Sequence, residues 1–100
     1  MRVIALSTLK QFWTRYPNCR DAERPTLAWY RDVVQADWSS PADVKRQFGN
    51  ASVLRGVRVV FNIGGNKYRV IVSIRYSQQI AWVRFVGTHK QYDQVDAETI

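Results

Sequence analysis

The sequence has little of the chemistry that many enzymes and secreted proteins depend on. Its 100 residues include one cysteine, Cys19, and one histidine, His89. One cysteine cannot form an internal disulfide, and a lone histidine cannot anchor a usual zinc site. The apolar opening at residues 3–6 is too short for a signal peptide or a membrane span. We therefore expect a cytoplasmic protein that uses no metal and no cofactor.

Acidic residues are missing from half of the chain. Residues 44–92 contain nine Lys or Arg residues and no Asp or Glu, whereas residues 1–43 are nearly balanced and residues 93–100 are acidic. The net charge is +7. A block of one sign attracts polyanions through counterion release and long-range steering. Nucleic acid is the favoured partner, and the alternative is a basic surface that only aids solubility.

Three segments of the basic block alternate between apolar and polar residues, as half-buried strands do. They are residues 57–63, 68–76 and 80–86. Gly64-Gly65-Asn66 predicts a hairpin turn between the first two strands, and residues 77–79 predict the next turn. One face of each strand is apolar, with Ala81, Val83 and Phe85 on that face of the third. The other face is predicted to be open and to present Arg58, Arg69, Arg75, Trp82 and Arg84.

The N-terminal half predicts a short edge strand at residues 1–6, followed by helices. Ser7 is expected to cap a helix that runs to Tyr16, with an apolar stripe at spacings of three and four. That stripe consists of Leu9, Phe12, Trp13 and Tyr16. A second helix is expected over residues 21–36. Its clearest stripe is Leu27, Tyr30 and Val34, with Trp29 and Val33 beside it.

A third, short helix is predicted to start at Ser40, with Pro41 in its first turn. Gly49-Asn50 is predicted to end it in the left-handed conformation, and residues 51–56 to form a loop. The whole chain, residues 1–100, is then one α+β domain. Its N-terminal strand and two to three helices should pack on one face of a small, mostly antiparallel sheet.

Candidate chemistry is concentrated in one C-terminal turn, where His89, Lys90, Tyr92 and Asp93 follow the last strand. With Arg69, Lys67 and Arg84 expected nearby, this set suits metal-independent cleavage of RNA by attack of the 2′-OH on the adjacent phosphate. Such cleavage needs proton transfer, which histidine can provide, and cations that stabilise the phosphoryl oxygens. The alternative is that the turn only closes the edge of the sheet.

Two motifs resemble the HigB toxins of bacterial toxin–antitoxin systems, which belong to the RelE/ParE superfamily. They are RVVFNIGGNKYRVIV at residues 58–72 and VRFVGTHKQYD at residues 83–93. The resemblance implies a RelE/ParE-like fold and an mRNA interferase that cuts mRNA on the ribosome and halts translation. It also implies a helix-turn-helix antitoxin of the HigA type. Together, toxin and antitoxin would bind operator DNA.

The same resemblance implies roles for individual residues. Arg69 matches the arginine that holds the scissile phosphate, and His89 and Tyr92 match the C-terminal catalytic positions. The residues expected to bind RNA or the ribosome are Arg58, Asn66, Lys67, Arg84, Lys90 and Asp93. Two other functions stay open, a gyrase poison of the ParE type and a non-catalytic RNA-binding module, because fold alone does not determine function.

Overall fold

A computed structural model describes residues 1–55 and 57–100; Gly56, the last residue of the predicted loop, lies outside the described residues. The helical elements are α1 (Leu6–Arg15), a 3-10 helix (Pro17–Ala22), α2 (Glu23–Gln35), α3 (Pro41–Gln47), a short 3-10 turn (Tyr76–Gln78) and α4 (His89–Tyr92). The strands are β1 (Arg2–Ile4), β2 (Ser52–Val53), β3 (Arg58–Ile63), β4 (Tyr68–Arg75) and β5 (Ile80–Thr88).

The described strands form one sheet in the order β1-β5-β4-β3-β2. Strand β1 lies at an edge and is parallel to β5, and every other pairing is antiparallel. The α+β class and the mostly antiparallel sheet are confirmed. The predicted loop at residues 51–56 is wrong in part, because Ser52 and Val53 pair with β3. A strand of two residues is too short to show alternation.

Helix α1 packs on the sheet through Leu9, Phe12 and Trp13, as predicted. It begins at Leu6, directly after β1, so Ala5 and not Ser7 occupies the cap position. Tyr16 lies just beyond the end of the helix and is 39% exposed, so the fourth member of the predicted stripe is not part of the core.

Helix α2 is rotated relative to its predicted apolar stripe. Its buried residues are Thr26, Trp29 and Val33, whereas Val34 is 40% exposed. Residues 26, 29 and 33 keep helical spacing, but the polar Thr26 concealed the stripe in the sequence. The Trp29 ring packs edge-on against the Phe61 ring of β3, with the centroids 5.3 Å apart.

Helix α3 begins as predicted, with Ser40 at the cap position and Pro41 in the first turn. The left-handed stop at Gly49-Asn50 is wrong, because neither residue has a positive φ. The Lys45 ammonium instead donates to the carbonyl oxygens of Gly49 and Ala51, both at 2.7 Å. A lysine near the end of a helix can satisfy free carbonyls without a left-handed residue.

The face predicted to be open is covered at its centre by the C-terminal segment. Val60 of β3 and Ile71 of β4 pack there with Ala97 and with the partly buried Leu54, Phe85, Tyr92, Val95 and Ile100. We call this set the second cluster. The first and larger core lies between the helices and the opposite face of the sheet.

A β-bulge in β5 changes which face its residues occupy. Val72 pairs with Val83 and Ile71 pairs with Phe85, so Arg84 is an extra residue between the two pairs. Phe85 therefore joins the second cluster and Val86 packs toward the helices, which reverses the predicted alternation after Val83. None of the helices in residues 1–55 and 57–100 is long and apolar enough to cross a membrane.

Leu9→Ala tests the packing of α1. Leu9 is fully buried in the first core, so its truncation should lower the free energy of unfolding by about 2–5 kcal/mol. Lys10→Ala, at the next and exposed position, should change it by less than about 0.5 kcal/mol. Urea titration measures both values. Equal effects would contradict the observed orientation of α1.

Candidate functional site

The hairpin turn between β3 and β4 lies beside the start of α4. Arg69 on β4 pairs with Asn62 of β3 and with Gly87 of β5, and Tyr68 pairs with Thr88. The backbone N–H of His89 donates to the carbonyl oxygen of Lys67, at 3.3 Å. This pairing brings together two motifs that are about 20 residues apart in the sequence.

The turn has an uncommon backbone conformation, with φ values of 62° at Gly64, 61° at Gly65 and 86° at Asn66. Glycine takes positive φ without steric cost, and asparagine tolerates it better than most residues. The Arg69 guanidinium folds back onto this turn. Its Nη1 donates to the Asn66 carbonyl oxygen at 3.0 Å and to the Asn66 Oδ1 at 3.3 Å.

The Tyr92 ring is the second neighbour of the Arg69 guanidinium. The guanidinium carbon lies 5.5 Å from the centroid of the Tyr92 ring, which is a cation–π distance. The Tyr92 ring itself packs against Phe85 in the second cluster. A guanidinium has five N–H donors, so Arg69 can be held by Asn66 and still offer donors to a phosphate.

Helix α4 is held at its start by reciprocal hydrogen bonds between Thr88 and Gln91. The Gln91 N–H donates to the Thr88 Oγ1 at 3.1 Å, and the Thr88 N–H donates to the Gln91 Oε1 at 2.9 Å. These bonds form a capping box. Gln91 is a residue that sequence reasoning missed, and the Thr-x-x-Gln spacing is the signal that could have identified it.

His89 is the first residue of α4, and Asp93 follows the helix directly, one turn later. The His89 Nε2 and the Asp93 Oδ1 are 3.6 Å apart, and both side chains are more than half exposed. At that distance the contact is electrostatic and not a normal hydrogen bond. Asp93 can therefore pair with a protonated imidazole while leaving the ring open to solvent.

Lys67 is held away from Arg69. Its ammonium pairs with the Asp21 carboxylate and lies 5.6 Å from the centroid of the Tyr68 ring. Tyr68 belongs to the helical side of β4, and its hydroxyl also donates to Asp21. Since neighbouring strand residues point to opposite faces, Arg69 faces the other side of the sheet.

These partners stabilise the charged form of the Asp21 carboxyl group. The hydrogen bonds from Lys67 and Tyr68 hold the pKa of Asp21 below its usual range. Burial and the hydrogen bond to Asp21 raise the pKa of Tyr68 above its usual value. Sequence reasoning missed Asp21 because it lies 46 residues from Lys67, and no local pattern connects them.

The remaining predicted residues lie outside this cluster or at its margin. Arg58 pairs with Ser73, four residues along β4 from Arg69 and so about 13 Å away. Its guanidinium donates to the Ile100 carbonyl oxygen at the far side of the C-terminal segment. Arg84 is exposed at the bulge, and Lys90 is exposed on α4 next to His89.

The architecture is that of a small basic α+β domain, with a hairpin and a C-terminal helix meeting at one end of the sheet. A sequence model of the HigB toxins, described as the RelE-like toxic component of a toxin–antitoxin system, matches residues 22–95. This match covers well over half of the chain, so the chain belongs to the HigB toxin family. As the toxic component of such a system, it has an antitoxin as its partner.

Several relatives resemble the chain over nearly its whole length. The mRNA interferase HigB of Escherichia coli O6:H1 is 27% identical over 97 residues, covering 95% of this chain and 91% of the relative. The mRNA interferase toxin HigB of Escherichia coli K12 and the mRNA interferase HigB of Shigella flexneri are each 27% identical over 95 residues, covering 93% of this chain and 88% of each relative. The resemblance found in the sequence is confirmed.

Gly87→Ala tests the packing beneath the site. A Cβ at Gly87 would lie 2.6 Å from the Phe85 ring and 2.7 Å from the Gln91 Oε1, so the ring or the capping box must move. We expect the free energy of unfolding to fall by about 1–3 kcal/mol. At Gly49 a Cβ would meet no atom within 4 Å, so Gly49→Ala should be neutral or slightly stabilising. Chemical denaturation of both variants checks this, and equal losses would contradict it.

The pH dependence of stability tests the Asp21 pair. Because the pKa of Asp21 is lowered in the folded state, its contribution is fully present above the unfolded pKa of about 3.9 and is lost as the pH falls through the folded value. Asp21→Asn should therefore be less stable than the wild type at pH 5–7, and the difference should shrink below about pH 4. Denaturation series across this range measure it. A difference that does not change with pH would exclude the carboxylate as its source.

Proposed function

We propose that this chain is an mRNA interferase, a ribosome-dependent endoribonuclease that acts in the cytoplasm and stops translation. The observation that carries the proposal is the placement of Arg69, which is held by Asn66 and lies over Tyr92 beside the helix that bears His89. The relatives named mRNA interferase support the same activity.

The chemistry we propose is attack of the 2′-oxygen of the RNA on the adjacent phosphorus. A base removes the 2′-OH proton, the bond from phosphorus to the 5′-oxygen breaks, and an acid protonates that leaving oxygen. The products are a 2′,3′-cyclic phosphate and a 5′-hydroxyl. This reaction needs proton transfer and stabilisation of the phosphoryl charge.

Arg69 is proposed to bind two phosphoryl oxygens at once, which suits the planar guanidinium. His89 is proposed to transfer a proton, since an imidazole can give or accept one near neutral pH. Asp93 would stabilise the charged imidazole. Tyr92 would fix Arg69 and offer a surface on which a base can stack.

The surrounding basic residues are proposed to bind RNA or the ribosome less specifically. Lys90 and Asn66 are closest to the proposed reaction, because they flank His89 and Arg69. Arg84 would bind farther along the sheet, as would Arg58 at the far side of the second cluster. Lys67 would contribute a cation only after leaving Asp21.

We further propose a helix-turn-helix antitoxin of the HigA type as the specific partner. The complex of toxin and antitoxin would bind operator DNA through the antitoxin. The ribosome would supply the mRNA in its decoding site and complete the catalytic arrangement.

Arg69→Ala and His89→Ala test the site in a cell-free translation reaction with a defined mRNA. We expect cuts by the wild type only when active ribosomes are present. Each variant should cut at least about 100-fold more slowly, and His89→Ala should keep most of its ribosome binding. Primer extension locates and quantifies the cuts. Arg31→Ala, an exposed arginine on α2, should match the wild type.

Two outcomes would count against this function. Growth arrest in cells without any mRNA cut would favour a gyrase poison. Cleavage that survives His89→Ala would remove the histidine from the reaction and leave it a binding residue.

A further inference from the structure

The β3–β4 turn holds two groups of the site but has little support of its own. The Asn66 carbonyl oxygen accepts from Arg69, and the Lys67 carbonyl oxygen accepts from the His89 N–H. Residues 64–67 are all exposed, and two of them are glycines with positive φ. Exposed turns with few apolar contacts open easily. Displacement of this turn would move Arg69 and His89 together.

Asp21 supports the turn from the helical side of the sheet. One of its carboxylate oxygens bonds to the Lys67 ammonium and the other accepts from the Tyr68 hydroxyl. The neighbouring Ala22 is fully buried, which fixes the backbone from which the carboxylate extends. The Tyr68 ring in turn packs edge-on against Phe12, with the centroids 5.8 Å apart.

A second contact places the turn against the same layer. A Cβ built on Gly64 would lie 3.8 Å from the Pro25 Cγ at the start of α2. The turn is therefore adjacent to the helical layer at Pro25 and is bonded to it at Asp21. Of these two connections, only the one to Asp21 involves charge. Charge-assisted hydrogen bonds are shorter and stronger than neutral ones.

We propose that Asp21 is a positioning residue for the cleavage reaction: by bonding to Lys67 and Tyr68, it holds the β3–β4 turn where its carbonyls fix Arg69 and His89. This inference rests on the proposed function. An exposed ion pair adds only a small amount to global stability, so we expect the larger effect of Asp21 to be on the position of the turn. Small displacements of reacting groups cost rate more than binding.

The charge of Asp21 determines whether its loss weakens or strengthens substrate binding. Its carboxylate repels phosphate and keeps the Lys67 ammonium on the helical side of the sheet. Removing the carboxylate frees a cation for RNA and removes a nearby negative charge. Loss of Asp21 should therefore lower kcat without raising KM, whereas partial unfolding would lower the amount of active protein.

Asp21→Ala and Asp21→Asn test the proposal in two measurements. In single- and multiple-turnover cleavage on programmed ribosomes, Asp21→Ala should lower kcat about tenfold with KM unchanged or lower, and Asp21→Asn should lower it less. In hydrogen exchange of the free protein, the amide of His89 and the peptide of residues 64–70 should exchange about tenfold faster in Asp21→Ala. Tyr68→Phe, which keeps the ring, should give a smaller loss that does not add to that of Asp21→Ala.

Asp43→Ala is the matched control. Asp43 also has a lowered pKa, through the Ser39 N–H and Arg46, but it lies in the first turn of α3. Its removal should leave the exchange of residues 64–70 and kcat unchanged. Wild-type kcat and exchange in Asp21→Ala would overturn the proposal, as would additive losses with Tyr68→Phe. If the wild type does not cut mRNA, the proposed function fails, and the exchange measurement alone decides whether Asp21 holds the turn.

Discussion

Strand β4 is buried on both faces, and the rest of the fold forms the two layers that pack on it. Val70 and Val72 are fully buried against the helices, and Ile71 is fully buried on the other side. A strand that is apolar on both faces needs a layer on each. Helices α1 and α2 form one layer, and the C-terminal segment forms the other. Arg69 lies near the start of β4, beyond the centre of the second layer, so it is only half-buried.

The C-terminal segment therefore has two functions in one stretch of chain. Tyr92 is both a member of the second cluster and the ring beneath the Arg69 guanidinium. Val95 and Ala97 pack on the centre of the sheet, and Ile100 meets Arg58 at its far side. Apolar packing of this segment sets the position of Tyr92, so the site depends on the second cluster as well as on its own hydrogen bonds.

Local patterns in the sequence predicted the elements that obey them. Alternation identified β3 and β4, and the Gly-Gly-Asn triplet identified the turn between them. Alternation could not show the bulge at Arg84, because the residues after it are again apolar and fit either face. It also could not show that Val95, Ala97 and Ile100 cover the sheet, because acidic residues separate them and the segment resembles a solvated tail.

The candidate site likewise contains residues that the sequence could predict and one that it could not. The motifs that carry Arg69, His89 and Tyr92 are local and could be read from the sequence, and the register of β4 with β5 then brings them together. Asp21 could not be read, because its partners follow 46 and 47 residues later. Contacts of that range are set by the packing of the helical layer on the sheet, which no local pattern encodes.

Residues 44–92 contain no acidic residue, but fewer of their cations are unpaired at the site than the sequence suggests. Asp21 reaches in from the helical layer to pair with Lys67, and Asp93 follows α4 and faces His89. In the part of the chain that the structure describes, no carboxylate pairs with Arg69, which is held by a carbonyl, an amide oxygen and an aromatic ring. These partners orient a guanidinium without neutralising it. Arg69 therefore keeps its full charge, and the planar shape of a guanidinium suits it to bind a phosphate.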